Sequence, residues 1–322
     1  MTFEEFAKAT DASPAQGKML LELDALQNRL ALKLSTLLGD LDTTGGRINP
    51  TPANIRAIEA IMQSLRDDFA DPRWTRAVVA YLASFDGIDT AIKSYMGAFG
   101  TLDEEALNAV KRGFKASTAA YLTNPESFTG DLWLPLASNI QGAVTTGETL
   151  SGAIQAAQDQ VTGVGDTMGS LVNAAQGPTS TASTVYQRSA TQVAADKVGA
   201  EFFRYQGRSI DTTRPFCKAR AGKVYHRKEI EEWGRQAASG NAWEGAFEGT
   251  DSRNIFVHLG GYYGKRSACR HVLVPLPRRD VPKEDLDRMR DKGLISKRAW
   301  WKGDLTATAS GRRSHTGAKN HA

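Results

Sequence analysis

Apolar residues recur every three or four positions through the first half of the chain, which is the spacing of one face of an α-helix. The clearest run lies between residues 19 and 41 and consists mainly of leucine. Its members are Met19, Leu23, Leu26, Leu30, Leu34, Leu37 and Leu41. A stripe of this length fits one strand of a coiled coil, but a helix of a bundle is the simpler interpretation and the one we adopt.

Three further helices are predicted by the same spacing and by residues that start helices. Thr51–Pro52 begins one, because proline in the first turn lacks only an N–H that would have no helical partner. Asp71–Pro72 ends that helix and begins the next, and the acidic residues 103–105 begin a fourth, where negative charge suits the helix dipole. Their apolar faces are Ile55, Ile58, Met62, Leu65 and Phe69; Trp74, Val78, Leu82, Phe85, Ile88, Ile92, Tyr95 and Phe99; and Leu107, Val110, Phe114 and Tyr121. Residues 1–141 are therefore predicted to form a helical domain.

The helical pattern weakens between residues 142 and 182. This stretch is rich in Gly, Ala, Thr and Gln, and only a few scattered apolar residues keep a helical spacing. Small residues lower helix propensity and packing energy, so we predict a weakly helical connector, with a mobile linker as the alternative. Gly177–Pro178 and the polar residues after it are expected to break the pattern before a helix resumes at residue 183.

The pattern changes again after residue 200. Short strand patterns occupy residues 202–205 and 272–276, and a short helical pattern occupies 229–238. We assign residues 183–280 to a small α+β module, and residues 281–322 to a charged helix and a basic tail predicted to be disordered. The predicted fold class is therefore mostly α, with an N-terminal helical domain, a small α+β module and a disordered basic tail.

Composition describes an ordinary globular protein. Apolar residues make up 41% of the 322 residues and charged residues 24%, which argues against a wholly disordered chain. No run of 18 apolar residues occurs, and Glu4 and Glu5 stand where a signal peptide would carry lysines. We therefore expect no membrane span and synthesis in the cytoplasm.

Charge is distributed unevenly along the chain. Residues 1–200 carry 15 Lys and Arg against 22 Asp and Glu, a net charge of −7, whereas residues 201–322 carry 25 against 14, a net charge of +11. A basic end is typical of nucleic-acid binding, and improved solubility is the alternative explanation. The best local candidates for DNA contact combine basic with aromatic side chains, which bind phosphates and stack on bases: Lys297, Arg298, Trp300, Trp301 and Lys302. Docking of the two tryptophans onto the folded domain is the other interpretation.

Both cysteines and three of the five histidines lie between residues 202 and 277. The same stretch contains, in order, Phe-Arg-Tyr-x-Gly, Asp-x-Thr-Arg-x-x-Cys, Gly-Lys-x-Tyr, Gly-Gly and Cys-Arg-His before an apolar strand. This order resembles the phage head morphogenesis family, the MuF-like minor head proteins of tailed bacteriophages. Residues 262–268 make the loop after the double glycine longer than is usual in that family. The residues that carry the resemblance are Tyr205, Gly207, Asp211, Thr213, Arg214, Cys217, Gly222, Gly260, Gly261, Cys269, Arg270 and His271.

The resemblance implies a structural protein rather than an enzyme, present in a few copies inside the phage head or at its portal vertex. It would assist head assembly and DNA packaging or ejection. The implied partners are the portal, scaffold or major capsid protein, and packaged phage DNA through the basic C-terminal part. The implied location is the virion head, after synthesis in the host cytoplasm.

The cysteines and histidines also suggest a metal site. Cys217, His226, Cys269 and His271 supply thiols and imidazoles, the usual ligands of tetrahedral zinc, with His258 as a substitute for His226. However, the chain has no Cys-x-x-Cys motif, so the prediction is no cofactor, with zinc as the alternative. Two reduced, buried thiols are the preferred state of the cysteines, and a disulfide between Cys217 and Cys269 is the other interpretation.

Motifs for catalysis are missing from the sequence. It contains no Gly-x-Ser-x-Gly, no Walker loop and no His-Glu-x-x-His. Asp211, His226 and Glu229 provide the residue types of a metal-dependent nuclease, but not a recognisable spacing. We therefore predict a non-enzymatic structural protein. The alternatives are a metal-dependent nuclease or effector packaged in the phage head, and a zinc-stabilised DNA-binding protein.

Overall fold

The computed structural model describes residues 1–296 apart from 166, 208–210, 212, 261 and 264–266, and for 262, 263, 267 and 268 it describes the backbone alone. Helix dominates this part of the chain, and a small α+β module follows the helical part, which confirms the predicted fold class. From residue 297 onward, the segment predicted to be a disordered tail lies outside the described residues.

The helices, in chain order, are α1 (Phe3–Ala9), α2 (Ser13–Gly39), α3 (Pro52–Asp67), α4 (Pro72–Met96), α5 (Glu104–Thr123), α6 (Leu134–Thr146), α7 (Leu150–Thr162), α8 (Ser170–Lys197), α9 (Pro215–Lys218), α10 (Arg227–Ala238), α11 (Ile255–His258) and α12 (Lys283–Asp291). The strands are β1 (Thr43–Thr44), β2 (Arg47–Ile48), β3 (Phe202–Gln206), β4 (Val224–His226), β5 (Tyr262–Tyr263), β6 (Ser267–Ala268) and β7 (Val272–Leu276).

The leucine stripe predicted from the sequence is the buried face of α2. The residues of the stripe from Met19 to Leu34 are buried, and through them α2 packs against α4, α7 and α8. Near the end of the helix the buried position is taken by Leu38, while Leu37 is half-buried. The face of α2 therefore forms a continuous apolar seam along the helical part, as the spacing predicts.

Helices α3, α4 and α5 begin where the sequence predicts. The Thr51 side chain accepts a hydrogen bond from the amide of Asn54, and the Asp71 carboxylate accepts one from the amide of Arg73. The Asp103 carboxylate accepts the amide of Ala106 in the same way at α5. Each side chain satisfies an amide in the first turn that has no helical partner, which fixes the start of the helix.

Helix α8 runs without a break through Gly177–Pro178, where the sequence pattern predicts an interruption. Pro178 has no N–H to donate to the carbonyl of Ala174, four residues earlier. The Tyr121 hydroxyl of α5 lies 3.5 Å from that carbonyl and donates to it, and the Tyr81 hydroxyl of α4 donates to the carbonyl of Thr179. Contacts with neighbouring helices therefore compensate for the proline, and the predicted break is wrong.

The stretch from 142 to 182 forms the end of α6, all of α7 and the first part of α8. Ala153, Ala157 and Val161 are the buried residues of α7, and this helix makes an extensive contact with α2. Small side chains allow the two helix backbones to approach closely. The boundary placed at 182/183 by the sequence falls within α8.

The α+β module is organised around a three-stranded antiparallel sheet with the order β4-β3-β7. The central strand β3 pairs with both neighbours, so that Phe203 lies opposite Tyr225 on one side and Pro275 on the other. Phe203 packs edge to face on Phe256 of α11, with ring centroids 5.0 Å apart. The strands predicted at 202–205 and 272–276 are thus the centre and one edge of this sheet.

The helical part and the α+β module share one hydrophobic core. A single cluster of buried residues extends from Phe6 through the faces of α2, α4 and α8 to Tyr205 and Val274 in the sheet. The Tyr95 hydroxyl of α4 also donates to the carbonyl of Pro275 in β7 at 2.8 Å. The sheet is therefore held against α8 and α4. None of the described helices has an apolar stretch long enough to span a bilayer.

A buried carboxylate ties α4 to α5 and α8. Asp89 of α4 lies 2.9 Å from the Lys111 ammonium and 3.1 Å from that of Lys93, and the Tyr186 hydroxyl donates to it at 3.4 Å. The Asp89 side chain is 5% exposed, whereas Asp86, which also pairs with Lys111, is 52% exposed. The two acids share a partner but differ in burial.

We expect Asp89→Asn to lower the free energy of unfolding by about 3 kcal/mol, because it leaves partly buried ammonium groups without their main counterion. Asp86→Asn is the matched control and should cost less than about 1 kcal/mol, as is usual for an exposed ion pair. Urea unfolding followed by tryptophan fluorescence measures both values. An equal decrease in the free energy of unfolding for the two variants would contradict the role assigned to Asp89.

Candidate functional site

Three side chains singled out by the sequence meet in the α+β module. Cys217 lies on the short helix α9, which begins at Pro215, and Cys269 and His271 lie just before β7. Their candidate ligand atoms all lie within 4.8 Å of one another, and the three residues are buried. We refer to Cys217, Cys269 and His271 as the cysteine–histidine cluster.

The cluster is held by short polar contacts. The Cys217 and Cys269 sulfurs lie 3.3 Å apart, in contact but not bonded, and both thiols are free. The Nδ1 atom of His271 lies 3.1 Å from the Cys269 sulfur. The Tyr205 hydroxyl of the central strand donates to the Cys217 sulfur at 3.1 Å. Three segments far apart in the sequence thus present two sulfurs, one imidazole and one phenol to a common point.

A buried arginine fixes the backbone that carries two of these residues. Arg188 of α8 is 2% exposed. Its Nε and Nη2 donate to the carbonyl of His271 at 2.9 and 2.6 Å, and Nη2 also donates to the carbonyl of Cys269. Its Nη1 donates to the carbonyl of Val257 at 2.9 Å, at α11. The planar guanidinium therefore joins the main helix to the segment that holds Cys269 and His271.

Two glycines of the sequence motif leave the space that the cluster occupies. A Cβ placed on Gly260 would lie 2.5 Å from the Cys269 sulfur and 2.9 Å from the Cys217 sulfur. A Cβ on Gly207 would lie 2.3 Å from the imidazole ring of His271. Gly260 also has a φ of +70°, a conformation that other residues adopt at a cost. These positions need glycine because the cluster packs directly on the backbone.

Arg214 supports the same loop from the other side. One of its Nη atoms donates to the carbonyl of Gly260, and the same atom lies 3.3 Å from the carbonyl of Gly245. The sequence predicts that this arginine needs a carboxylate or several carbonyls, and two of its contacts are carbonyls. Gly222, with a φ of +80°, donates its amide to the Tyr205 carbonyl at 2.8 Å, so it forms the turn between α9 and β4.

The cluster forms part of the wall of a cleft of about 760 Å³. One side of the cleft comes from the N-terminal helices and α8, and the other side from the α+β module. Thr10 and Gln16 belong to the first side, and Gln206, Thr213 and Arg270 to the second. The cleft therefore gives a small molecule or ion a route to the two sulfurs and the imidazole.

The electrostatics of the cluster favour one thiolate. The pKa of Cys269 is lowered because the Cys217 thiol donates a hydrogen bond to its sulfur, and because His271 and the Arg188 guanidinium lie close to it. The pKa of Cys217 is raised by that same hydrogen bond and by burial. Burial also raises the pKa of Tyr205 well above its ordinary value, which keeps its hydroxyl as a donor. The hydrogen bond between the sulfurs therefore favours the thiolate form of Cys269 over that of Cys217, and the nearby Arg188 guanidinium favours it further.

Two histidines considered as zinc ligands lie elsewhere. His226 is the N-cap of α10, where its Nδ1 accepts the amide of Lys228, and its ring packs on Phe202. His258 instead makes a hydrogen bond through its Nδ1 with the Thr250 hydroxyl at 3.1 Å. The group of side chains with converging ligand atoms contains neither of them. The structure thus brings together three of the four residues in the predicted zinc set.

The residues of the alternative nuclease site do not form a group with converging ligand atoms in the described part of the chain, although His226 and Glu229 meet in the cap of α10. Glu229 accepts hydrogen bonds from Arg288 and Lys292 and from the His226 amide, so its charge is already neutralised. Asp211 lies in an exposed turn. Within the described ranges, the cysteine–histidine cluster is the group whose ligand atoms are close enough to share a metal ion.

Some predicted residues cannot be placed. Gly261 lies outside the described residues. So do the candidate DNA contacts, which are Lys297, Arg298, Trp300, Trp301 and Lys302. Arg270, between Cys269 and His271, is exposed at the cleft. Conversely, sequence reasoning missed Arg188. The signal was present, since Arg188 is the only charged residue in a run of small and polar residues from 167 to 195.

Comparisons with known proteins give no further guide to this site. No protein-family model matches the chain, and no curated protein or solved structure was found to match it.

Gly260→Ala tests the packing of the cluster on the backbone. The substitution should lower the free energy of unfolding by about 1–2 kcal/mol through the left-handed backbone, and by about 1–3 kcal/mol more through the clash with two sulfurs. Gly199→Ala is the matched control, because Gly199 has a similar φ of +64° but open space around it. Chemical denaturation of both variants measures the difference. If Gly260→Ala lowers the free energy of unfolding no more than Gly199→Ala does, the sulfurs do not require a glycine at position 260.

Proposed function

We propose that this chain is a structural minor head protein of a tailed phage and that its α+β part is a MuF-like module. The observation that carries the proposal is the convergence of motif residues from separate segments at one place. Cys217 and His271 belong to the cysteine–histidine cluster, and Tyr205 and Gly260 lie against it. Arg214 in turn donates to the carbonyl of Gly260. Convergence of this kind supports the interpretation that the motif describes one structural unit.

Charge gives the two parts of the chain different partners in this proposal. The first 200 residues carry a net charge of −7 and the remainder +11. The basic part would lie against packaged DNA, because phosphates attract Lys and Arg over a range of about 10 Å at moderate salt. The acidic, helical part would contact the portal, scaffold or major capsid protein. In this proposal the chain has no catalytic role, and it acts in the phage head after synthesis in the host cytoplasm.

Two large apolar side chains are exposed on the outer face of α2. Leu21 and Leu32 are 72% and 70% exposed and stand eleven residues apart, which places them three turns apart on one side of the helix. In this proposal these two side chains would be buried against the assembly partner.

Quantitative mass spectrometry of phage particles tests this role. We expect the chain at a few copies per major capsid shell in DNase-treated procapsids and mature virions of the phage that encodes it. Loss of the chain from emptied heads would assign it to the material ejected with DNA, and its retention would assign it to the shell or portal.

The control is a phage with an early stop codon in this gene, whose particles should lack the peptides and assemble fewer filled heads. An abundant host cytoplasmic protein, quantified in the same samples, sets the level of contamination. If the chain is no more abundant than that host protein in every particle, the proposed role is wrong.

A further inference from the structure

We propose that Cys217, Cys269 and His271 bind one Zn²⁺ ion, with the fourth coordination position open to the cleft. This inference rests on the geometry of the cluster and does not depend on the proposed role in the phage head. Two thiols and one imidazole form a donor set that suits zinc and not Mg²⁺ or Ca²⁺, which prefer oxygen ligands.

The spacing of the donor atoms is close to that of a tetrahedral zinc site. With Zn–S near 2.3 Å and Zn–N near 2.0 Å, two sulfurs of such a site stand about 3.8 Å apart, and a sulfur and a nitrogen about 3.5 Å apart. The Cys217 and Cys269 sulfurs are separated by 3.3 Å, and the Cys269 sulfur and the His271 Nδ1 by 3.1 Å. The third pair, the Cys217 sulfur and the His271 ligand atom, lies within the 4.8 Å that bounds the whole cluster. The three donors would therefore reach tetrahedral spacing by adjustment of their own side chains.

The surroundings of the three ligands hold them in place, as the residues around a metal site do. Arg188 binds the carbonyls of Cys269 and His271, and the Tyr205 hydroxyl binds the Cys217 sulfur. Gly207 and Gly260 leave room for the imidazole and for the sulfurs. Contacts that orient the ligands in this way are typical of metal sites and contribute to their affinity.

The ring nitrogen of His271 that faces away from Cys269 also bears on the site. The Nε2 atom of His271 is buried and has no hydrogen-bond partner among the described residues, although the residue is 5% exposed. Buried polar atoms nearly always have a partner in the protein, in ordered water or in a ligand. With zinc on Nδ1, the Nε2 atom carries the ring proton, and a water molecule in the cleft is the acceptor that it needs.

The cleft determines the form of the site. All three ligands line it, and three protein ligands with an accessible fourth position are typical of zinc sites that keep a water molecule. A structural zinc site would instead have four protein ligands, and His226, the fourth member of the set predicted from the sequence, is committed to the N-terminus of α10.

Metal analysis of the full chain tests the proposal. The purified protein is reduced, loaded with Zn²⁺, dialysed and analysed by inductively coupled plasma mass spectrometry, and we expect about one zinc per chain. Loading with Co²⁺ instead should give the intense visible bands of a tetrahedral ion and a sulfur-to-cobalt charge-transfer band. Less than about a tenth of an equivalent of zinc, or a cobalt spectrum without the charge-transfer band, would overturn the proposal.

Substitutions then identify the ligands. Cys217→Ser and Cys269→Ser should each weaken zinc binding more than about 100-fold, beyond the effect of losing a residue that only orients a ligand. His258→Gln is the matched control, because it removes a histidine of the same module outside the cluster, and it should retain wild-type affinity. Unchanged affinity in both cysteine variants would overturn the assignment.

Thiol counting separates the metal site from a disulfide. Two reactive thiols that zinc protects and a chelator exposes support the proposal. A Cys217–Cys269 disulfide in the freshly isolated protein, with no zinc bound after reduction, would overturn it. The wild-type cobalt spectrum answers the question even if a cysteine variant does not fold.

Discussion

The arrangement of the α+β module depends on the buried guanidinium of Arg188. Burying a charged group is costly unless it is fully hydrogen-bonded, and Arg188 meets this condition with the carbonyls of Val257, Cys269 and His271. These carbonyls belong to segments 69 to 83 residues away along the chain. A single side chain on the longest helix thus fixes where α11 and β7 lie, and with them the position of the cysteine–histidine cluster.

The position of the cysteine–histidine cluster follows from the hydrogen bonds of Arg188. Arg188 of α8 positions Cys269 and His271, and α9 carries the remaining sulfur. The Tyr205 hydroxyl donates to that sulfur, and Gly260 leaves room for both sulfurs. A buried cation beside two thiols also supplies a counter-charge for a thiolate, which an apolar environment would not tolerate. The same interactions therefore account for the packing of the sequence motif and for its chemistry. They also support a metal centre at the cleft, whatever the larger assembly in which the protein acts.

The sequence predicts the elements better than their contacts. Leucine periodicity located α2, and short runs rich in apolar and aromatic residues located β3 and β7, because both signals are local. Pro178 was misinterpreted because the hydroxyl of Tyr121, which binds the carbonyl that proline leaves free, is distant in sequence. The role of Arg188 and the separation of His226 from the cysteines could not be predicted for the same reason. Spacing identifies candidate ligands, but the tertiary structure decides which of them converge.

The most direct test of this account is the stability of Arg188→Met in chemical denaturation, compared with that of Arg253→Met. The Arg253 side chain is 89% exposed and pairs with Asp251 at the surface. Loss of Arg188 leaves three buried carbonyls without donors, at about 1–3 kcal/mol each, so the account predicts a loss of at least about 3 kcal/mol. The control should lose less than about 1 kcal/mol. A similar small decrease in the free energy of unfolding for both variants would contradict the claim that Arg188 organises the module.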